Sequence, residues 1–302
     1  MMPSGAGGPP ERMLSVVLAC DGAGDRILDR LDALARACQG LSAEVLVVHA
    51  ADTTVAIPRE SPIPTTMLTA PSSLVPLLWG QGIAAARGKI VALTTTQLRV
   101  RDDWARALLA GFDVNGVAGV GGRMALAAGA GILGRAVFLL RYSEHMLSAT
   151  THAPRDIAGD NAAYRRDAVL DVCPDVASGF WEVDVHRLIR AAGARIGHAP
   201  AAVAEFDPAL SPREMLVNRF VHGSHFGAYR VRALGWPRWR AVAVTPFVPA
   251  VLLARILGRL RRAGQPLSSA VILLPAIMPL LVAWAAGEAS GALSQGRHAG
   301  SG

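Results

Sequence analysis

The sequence predicts an α/β protein with a mostly parallel, doubly wound sheet and helices on both faces, followed by C-terminal helices that associate with a membrane. Three observations support this prediction. Short aliphatic runs alternate with amphipathic segments, polar residues follow several of those runs, and the end of the chain holds long apolar stretches. With 302 residues, 52% of them hydrophobic and 18% charged, the chain can bury a full core and is more apolar than a typical soluble enzyme.

The first elements alternate between strand and helix. A continuous aliphatic run predicts a buried strand over Leu14–Ala19. Apolar residues at three- and four-residue spacing predict an amphipathic helix over residues 25–39, with Gly40 ending it. A second buried strand is predicted over 44–48, and a weaker one over 66–69.

The alternation continues with a helix over 74–86, a strand over 90–94, a helix over 104–112 and a strand over 116–120. In parallel sheets of this kind, ligands bind beyond the carboxyl ends of the strands. Those ends are predicted at Cys20–Asp21, at His49–Ala50 and at residues 95–97.

The middle of the chain begins with an Ala/Gly-rich and then apolar segment, 124–148, that predicts a helix near the membrane or the acceptor site. A second α/β portion follows over 157–203, with a short strand around 201–206. It contains the stretches GDNAAYRR (159–166) and GFWEVDVHRLIRAAGARI (179–196).

The tail contains two apolar stretches. Residues 241–254 are too few to span a hydrocarbon core, which needs about 20 residues, so they predict an interfacial or re-entrant helix. Residues 267–286 carry no charge and are long enough to span, with Pro275 and Pro279 as kinks. One spanning helix is therefore predicted, with a shallow helical hairpin as the alternative.

The positive charge is concentrated near these stretches. Between Arg213 and Arg262 there are ten arginines and one acid, Glu214. Attraction to anionic lipid headgroups explains this better than nucleic-acid binding, because no aromatic residues are interleaved in a binding pattern. An arginine-rich, lysine-poor composition is also typical of a GC-rich genome. Arginines at the start of the last stretch place the larger domain on the cytoplasmic side of the inner membrane.

A resemblance to a known family rests on KIVALTTTQLRVRDDW (89–104), preceded by the small-residue helix end GIAAARG (82–88). This order resembles the centre of the nucleotide-sugar domain of family 2 inverting glycosyltransferases. The resemblance covers about residues 13–210, and the tail, with AWAAGEASGAL, resembles the membrane end of bacterial members. It implies a GT-A fold with a nucleotide-sugar half (13–122) and an acceptor half (123–210). Around these lie a disordered N-terminus (1–12), basic and membrane-associated helices (211–290) and a flexible tail (291–302).

The predicted catalytic residues lie in FWEVDVH (180–186). An acceptor hydroxyl attacks a sugar poorly until a base removes its proton. Glu182 is the first candidate, and burial beside Phe180 and Trp181 would raise its pKa toward that task. Asp184 is the alternative acid, and His186, four residues beyond Glu182, would orient it. The structural alternative is that both acids simply favour a helix N-terminus.

The acceptor site is predicted around GDNAAYRR. Asp160 and Asn161 would hydrogen-bond sugar hydroxyls, Arg165 or Arg166 would face a phosphate, and Trp181 would line the same site. The alternative is that Asp160 and Asn161 form an Asx turn that opens a helix.

The donor site departs from the family pattern. The resemblance assigns it Asp21, His49, Thr95, Gln97 and Arg99, but Thr95 and Gln97 stand where the family's metal-binding Asp-x-Asp would be. Acidic residues are also absent directly after the second strand, and Trp79-Gly80 replace a common Arg-Asn pair.

Neutral oxygens bind Mg²⁺ or Mn²⁺ poorly, so no cofactor and no metal ligand is assigned. Arg99, Arg101 or a helix N-terminus would stabilise the leaving group instead. The alternative is a donor pocket that has lost its function.

The sequence therefore predicts a membrane-associated glycosyltransferase that uses a nucleotide-sugar donor and a lipid, lipid-linked saccharide or envelope glycan as acceptor. The alternative is a catalytically inactive scaffold or accessory subunit that assists a protein partner. Nucleic acid is not an expected partner.

Overall fold

The computed structural model describes residues 13–20, 26–51, 53, 55, 61–146, 156–208 and 211–294. The N-terminus 1–12, Asp21 and the residues after Ser294 fall outside this set. The chain divides into two compact units. We call residues 1–127 and 153–207 the sheet unit, and residues 128–152 and 208–302 the helical unit.

The sheet unit contains one eight-stranded sheet with the strand order β3-β2-β1-β4-β7-β6-β8-β5. The strands are β1 (Leu14–Ala19), β2 (Ala43–Ala50), β3 (Thr65–Ala70), β4 (Ile90–Thr95), β5 (Leu98–Val100), β6 (Val117–Leu126), β7 (Ala162–Arg165) and β8 (Arg195–Phe206). Its helices are α1 (Ile27–Ala37), α2 (Val75–Ala85), α3 (Trp104–Ala110), α5 (Arg166–Val172) and α6 (Glu182–Ala191).

The sheet is mixed rather than mostly parallel. Strands β3, β2, β1 and β4 pair in parallel, as predicted, and β6 pairs in parallel with β8. Strand β7 is antiparallel to both β4 and β6, and β5 is antiparallel to β8. The prediction missed β7 and β5 because each is only three or four residues long, too short to show the alternation of a strand.

The predicted helix over 124–148 begins too early. Residues 124–126 continue β6, because Met124 and Leu126 pair with Ala204 and Phe206 of β8. The helix of this region, α4, spans Ile132–Tyr142 and belongs to the helical unit.

The core of the sheet unit is built on continuous apolar strands. All six residues of β1 are buried, and Val17 and Ala19 belong to one cluster with Trp79 of α2 and Phe180. The Trp79 and Phe180 rings meet edge to face at 6.3 Å, and Trp79 Nε1 donates a hydrogen bond to the Thr94 carbonyl. This packing fixes the carboxyl end of β4.

The helical unit contains α4 together with α7 (Pro212–Arg232), α8 (Arg238–Ala243), α9 (Val248–Arg262) and α10 (Ser268–Ser294). Helices α7 and α10 pack backbone to backbone through glycines. A Cβ atom on Gly223 would lie 2.3 Å from the Trp284 carbonyl oxygen, and one on Gly287 would lie 2.1 Å from the Phe220 carbonyl oxygen. Gly227 and Gly291 continue the contact one turn further, as in the small-xxx-small pairs of closely packed helices.

Two stretches are long and apolar enough to cross a membrane, Arg238–Arg262 with 25 residues and Ser268–Ser294 with 27. The buried core helix of a soluble protein meets the same criteria. The first stretch joins α8, a turn of 3₁₀ helix (Thr245–Phe247) and α9, so it is longer than the 14 apolar residues on which the sequence argument rested. Helix α10 continues to Ser294, so the predicted flexible tail starts too early at 291.

Candidate active site

The site lies at the edge of the sheet where β4 ends and β7 begins. Leu93 of β4 is paired with Ala162, the first residue of antiparallel β7. A single 3₁₀ turn, Gly159–Asn161, comes directly before β7 and contacts β4. The structure thus brings the predicted acceptor turn next to residues 95–97, the predicted donor segment.

Glu182 is held at this turn. It is the first residue of α6, and its Oε2 accepts a hydrogen bond of 2.9 Å from the backbone N–H of Gly159. A Cβ atom on Gly159 would stand 2.1 Å from the same oxygen, so only glycine permits this approach. The close contact fixes the carboxylate at the edge of the sheet.

Asp184 and Trp181 occupy the surroundings of this helix start. Asp184 forms an ion pair of 2.7 Å with Arg187, three residues along α6, and is partly exposed. Trp181 is the N-cap residue of α6 and is partly buried. Both Glu182 and Asp184 lie in the first turn, where negative charge favours a helix N-terminus, so the structural alternative stated above applies to both residues.

His186 hydrogen-bonds other partners than the expected one. Its Nε2 lies 2.8 Å from the Tyr164 hydroxyl, and its Nδ1 lies 2.7 Å from Asp156 Oδ1. Both ring nitrogens are thereby engaged, and the side chain is 1% exposed. The four-residue spacing placed His186 on the correct face of the helix, but Tyr164 and Asp156 occupy its two nitrogens instead of Glu182.

Tyr164 lies among three carboxylates. Burial raises its pKa well above the usual value, and the negative charges of Glu182, Asp156 and Asp160 raise it further. The hydroxyl therefore keeps its proton. Its ring also packs edge to face on Phe180 at 5.0 Å.

Asp156 is the acidic end of this hydrogen-bonded chain. Burial raises its pKa, but the hydrogen bond and charge of His186 and the hydrogen bonds from Arg190 and the Ile157 backbone outweigh it, leaving the pKa at about 2. Asp156, His186 and Tyr164 form a connected support beside the residues of the turn.

Asn161 differs from its predicted role. The side chain is fully buried, its Oδ1 accepts a hydrogen bond of 2.6 Å from Trp104 Nε1, and its Nδ2 donates one of 2.8 Å to the Arg123 carbonyl. Asn161 therefore ties the turn to α3 and β6 and does not offer its amide to a sugar. Asp160, its neighbour, is buried at the same edge.

Arg165 and Arg166 also differ from expectation. They lie at the far end of β7, since Arg165 pairs with Ile90 at the start of β4. Arg165 Nε donates to the Val117 carbonyl at 2.9 Å, and Arg166 Nε to the Ile83 carbonyl at 3.4 Å. Both guanidinium groups thus bind backbone carbonyls away from the turn.

The predicted donor residues line the ends of β2 and β4. His49 is partly exposed at the end of β2, with its Nδ1 2.8 Å from the Ala50 carbonyl oxygen. Thr95 and Gln97 are buried, and the Gln97 N–H donates to Thr95 Oγ1 at 3.2 Å. Asp21 lies outside the described residues.

A divalent metal does not suit the residues present here. The Thr96 carbonyl accepts a hydrogen bond of 3.0 Å from Arg30 Nε, which brings a positive charge to the segment that would hold a cation. The side chains of residues 95–97 are neutral, whereas hard divalent ions prefer carboxylates. Within the described part of the chain, no group of three or more His, Cys, Asp or Glu residues could hold a metal ion.

Arg30 belongs to a cluster of charges at the start of α1. It is 2% exposed and forms ion pairs with Asp29 and, at 3.2 Å, with Asp207, which also pairs with Arg26. Burial raises the Asp207 pKa, but its hydrogen bonds from Arg26 and Arg30 lower it below the usual value overall. Arg99 is more peripheral, half exposed and 3.9 Å from Asp29.

Sequence reasoning missed several of these residues. Arg30 had a detectable signal, because it lies three residues after Ile27 and four before Leu34, on the apolar face of α1. A charged residue on that face must reach a partner. Asp156 and Tyr164 had no such signal, since their roles depend on contacts with α6.

A groove of about 510 Å³ lies elsewhere in the sheet unit. Its lining includes Ala107, Gly111, Val117 and Ile196. Val117 begins β6 and lies beyond the end of β7 opposite the Gly159–Asn161 turn, so this groove is separate from Glu182.

Among solved structures, the chain is similar to the mannosyltransferase PcManGT from Pyrobaculum calidifontis in complex with GDP-Man and Mn²⁺. The TM-score is 0.56 and the sequence identity 16%, over 95% of this chain and 89% of that one. The fold is that of a glycosyltransferase. The expected GT-A-like architecture is therefore supported, and at this identity the likeness concerns the fold alone.

Two weaker matches are a mycobacterial protein and the 1–349 fragment of S. aureus TarS. The first has a TM-score of 0.47 and 17% identity over 75% of this chain and 76% of that chain. The second has a TM-score of 0.43 and 14% identity over 92% of this chain and 90% of that chain. No family model and no curated protein matches the sequence.

Proposed function

We propose that this protein is a glycosyltransferase that moves a sugar from a nucleotide-sugar donor to an acceptor hydroxyl or phosphate, with Glu182 as the general base. The observation that carries the proposal is the Glu182–Gly159 hydrogen bond, which holds a carboxylate at the edge of the sheet beside residues 95–97. The fold is shared with a mannosyltransferase whose structure contains GDP-Man.

The proposed reaction is an inverting displacement. Glu182 accepts the proton of the acceptor while the acceptor oxygen forms a bond to the anomeric carbon. The bond from that carbon to the diphosphate oxygen breaks on the opposite side, and the electron pair leaves with the nucleotide diphosphate. A base anchored by one oxygen is held ready for this step, because positioning lowers the entropic part of the barrier.

The leaving group requires positive charge, and arginines supply it in this proposal. Arg26, Arg30 and Arg99 lie near the start of α1 and the segment after β4. Preorganised charges of this kind stabilise the developing negative charge of the diphosphate. No step is assigned to a metal ion, because the residues present do not suit one.

The acceptor and the location follow from the helical unit in this proposal. Two long apolar stretches and ten arginines between positions 213 and 262 favour association with the cytoplasmic face of the inner membrane. A lipid, a lipid-linked saccharide or an envelope glycan is therefore the acceptor class to test first.

The test is nucleotide-sugar turnover by membranes that contain the protein, with UDP-sugars and GDP-sugars as donors. We expect Glu182→Gln, which keeps the shape and removes the base, to lower turnover by roughly 10²- to 10⁴-fold. Asp184→Asn is the matched control, since it removes the other acid of the same helix turn. Full turnover by Glu182→Gln would show that the base is another residue.

A catalytically inactive scaffold is the second candidate. The neutral side chains of residues 95–97 and the Arg30 contact at Thr96 favour it, because the usual anionic clamp for a metal and diphosphate is missing there. Calorimetry with UDP and GDP distinguishes the two candidates. The enzyme requires nucleotide binding that survives a metal chelator, whereas the scaffold requires none.

A further inference from the structure

The helical unit has far more positive than negative side chains. Its sequence contains thirteen arginines but only three acids, Glu144, Glu214 and Glu288. An arginine buried in this unit must therefore compete for very few carboxylates.

All three carboxylates already have partners. Glu144 forms an ion pair with Arg259. Glu214 closes a capping box with Ser211 at the start of α7. Glu288, almost fully buried on α10, accepts a hydrogen bond from Trp284 Nε1 and forms an ion pair of 3.2 Å with Arg230.

Arg219 on α7 is the arginine left over. Its guanidinium lies over the Trp284 ring, 4.3 Å from the ring centre, and its Nε is buried without a hydrogen-bond partner among the described residues. Burial lowers its pKa to about 10, the charge of Arg141 lowers it further, and Glu288 compensates only in part. A buried charge without a partner is costly, so this position favours an anionic ligand.

Two more groups surround Arg219. Arg141 on α4 is near enough to repel both Arg219 and His222, which lies three residues along α7. Burial, followed by the charges of Arg141, Arg219 and His225, lowers the His222 pKa to about 4. His222 is therefore neutral near pH 7 and can donate a ring N–H without adding charge.

We propose that Arg141, Arg219 and His222 form a binding site for a phosphate group, either a phosphomonoester or a diphosphate, in the helical unit. Two arginines match the charge of a dianionic phosphate, and the guanidinium fork matches its oxygens. The ligand is the headgroup of a membrane lipid or a soluble phosphate compound, which share this chemistry. The site goes beyond the transfer reaction and does not depend on the role of Glu182.

The test uses the full chain in detergent micelles and two kinds of probe. Inorganic pyrophosphate represents the soluble source, and phosphatidylcholine vesicles with or without phosphatidic acid represent the lipid source. We expect Arg219→Gln to weaken binding of the phosphate probe by roughly 10-fold or more, because charged hydrogen bonds are lost. Arg213→Gln removes an exposed arginine from the same helix and should change binding by less than about 2-fold.

The arms separate the two sources. Arg219-dependent binding of phosphatidic acid vesicles but not of pyrophosphate identifies a lipid headgroup, and the reverse identifies a soluble phosphate. Binding by Arg219→Gln equal to that of the wild type, or an equal loss in Arg213→Gln, would overturn the site.

Two further variants guard against misfolding and against confusion with catalysis. Without phosphate, Arg219→Gln should melt at the same temperature as the wild type or higher, because it removes an unpaired buried charge. Arg230→Gln should melt lower, because it leaves Glu288 buried without its arginine. Glu182→Gln should keep phosphate binding, so failure of the catalytic proposal leaves this result unchanged.

Discussion

The sheet unit and the helical unit treat buried polar groups and exposed apolar groups in opposite ways. Of the 19 large hydrophobic residues that are exposed, 14 lie in the helical unit and 5 in the sheet unit. In the sheet unit, buried polar side chains such as Asn161 and His186 are engaged by neighbouring elements of the same unit. The Thr94 hydroxyl is an exception there.

The difference teaches which part of the chain is shaped by its own core and which by its surroundings. A sheet with apolar strands on both sides satisfies itself. A helical unit with exposed apolar residues and an arginine left without a carboxylate is suited to an environment that supplies both lipid and negative charge. Both proposals made here depend on that contrast.

The largest expected effect on stability concerns the contact between α7 and α10. In Gly227→Ala the new Cβ would lie 2.0 Å from the Glu288 carbonyl oxygen, which is backbone and cannot move aside cheaply. We expect the free energy of unfolding to fall by about 3 kcal/mol. Thermal unfolding of the full chain in micelles measures it.

The matched control is Gly258→Ala in α9, where a Cβ atom would meet nothing within 4 Å. It should raise stability by about 0.5–1 kcal/mol, since alanine is the better helix former. If both variants had the same sign, the close backbone contact in the helical unit would not be the reason for glycine there.

The next effect concerns activity and not stability. Gly159→Ala should displace the Glu182 carboxylate, since the two would otherwise overlap. We expect turnover to fall about 10²-fold, because a displacement of the base by roughly 1 Å is enough for such a loss. Gly129→Ala, at a position with open space, is the control for the same assay. Normal turnover by Gly159→Ala would separate the Glu182 anchor from catalysis.

The smallest effect is the pH dependence of the sheet unit. The pKa of Asp156 in the folded protein, about 2, lies below the ordinary aspartate value near 3.9. Its stabilisation is therefore present above about pH 4 and is lost as the pH falls through about 2. The side chain is 39% exposed, so we expect only about 1 kcal/mol.

Acid unfolding of Asp156→Asn measures this contribution. The variant should be less stable than the wild type at neutral pH, and the difference should shrink between about pH 4 and pH 2. Asp171→Asn, at an exposed position on α5, should stay within about 0.5 kcal/mol of the wild type throughout. A constant difference for Asp156→Asn at every pH would contradict the role of its charge.

Parts of the fold were predictable because a local pattern carries them. The predicted bounds of β1 are the observed ones, since a continuous aliphatic run reports a strand that is buried on both faces. The predicted bounds of the helices around Leu31 and Leu78 differ from α1 and α2 by one or two residues at each end. Strand β7 carries no comparable pattern, because AAYR is short and surrounded by turn and arginine residues.

The candidate site was predictable only in its residue types. The spacing of Glu182 and His186 indicated one helix face, but it could not show that Tyr164 and Asp156 would take both imidazole nitrogens. The sequence placed Asn161 in a polar turn, but only the packing of Trp104 and Arg123 around it decided that its amide is used internally.

The sequence by itself determined the alternation of strands and helices, the apolar end of the chain and a carboxylate at the start of α6, because each is a matter of neighbouring residues. The tertiary structure alone decided that Gly159 meets Glu182, that Gly227 meets the Glu288 backbone, and that Arg219 is left without an acid. These are contacts between residues far apart in the chain, and their partners are set by how the packed elements come together, which no local pattern records.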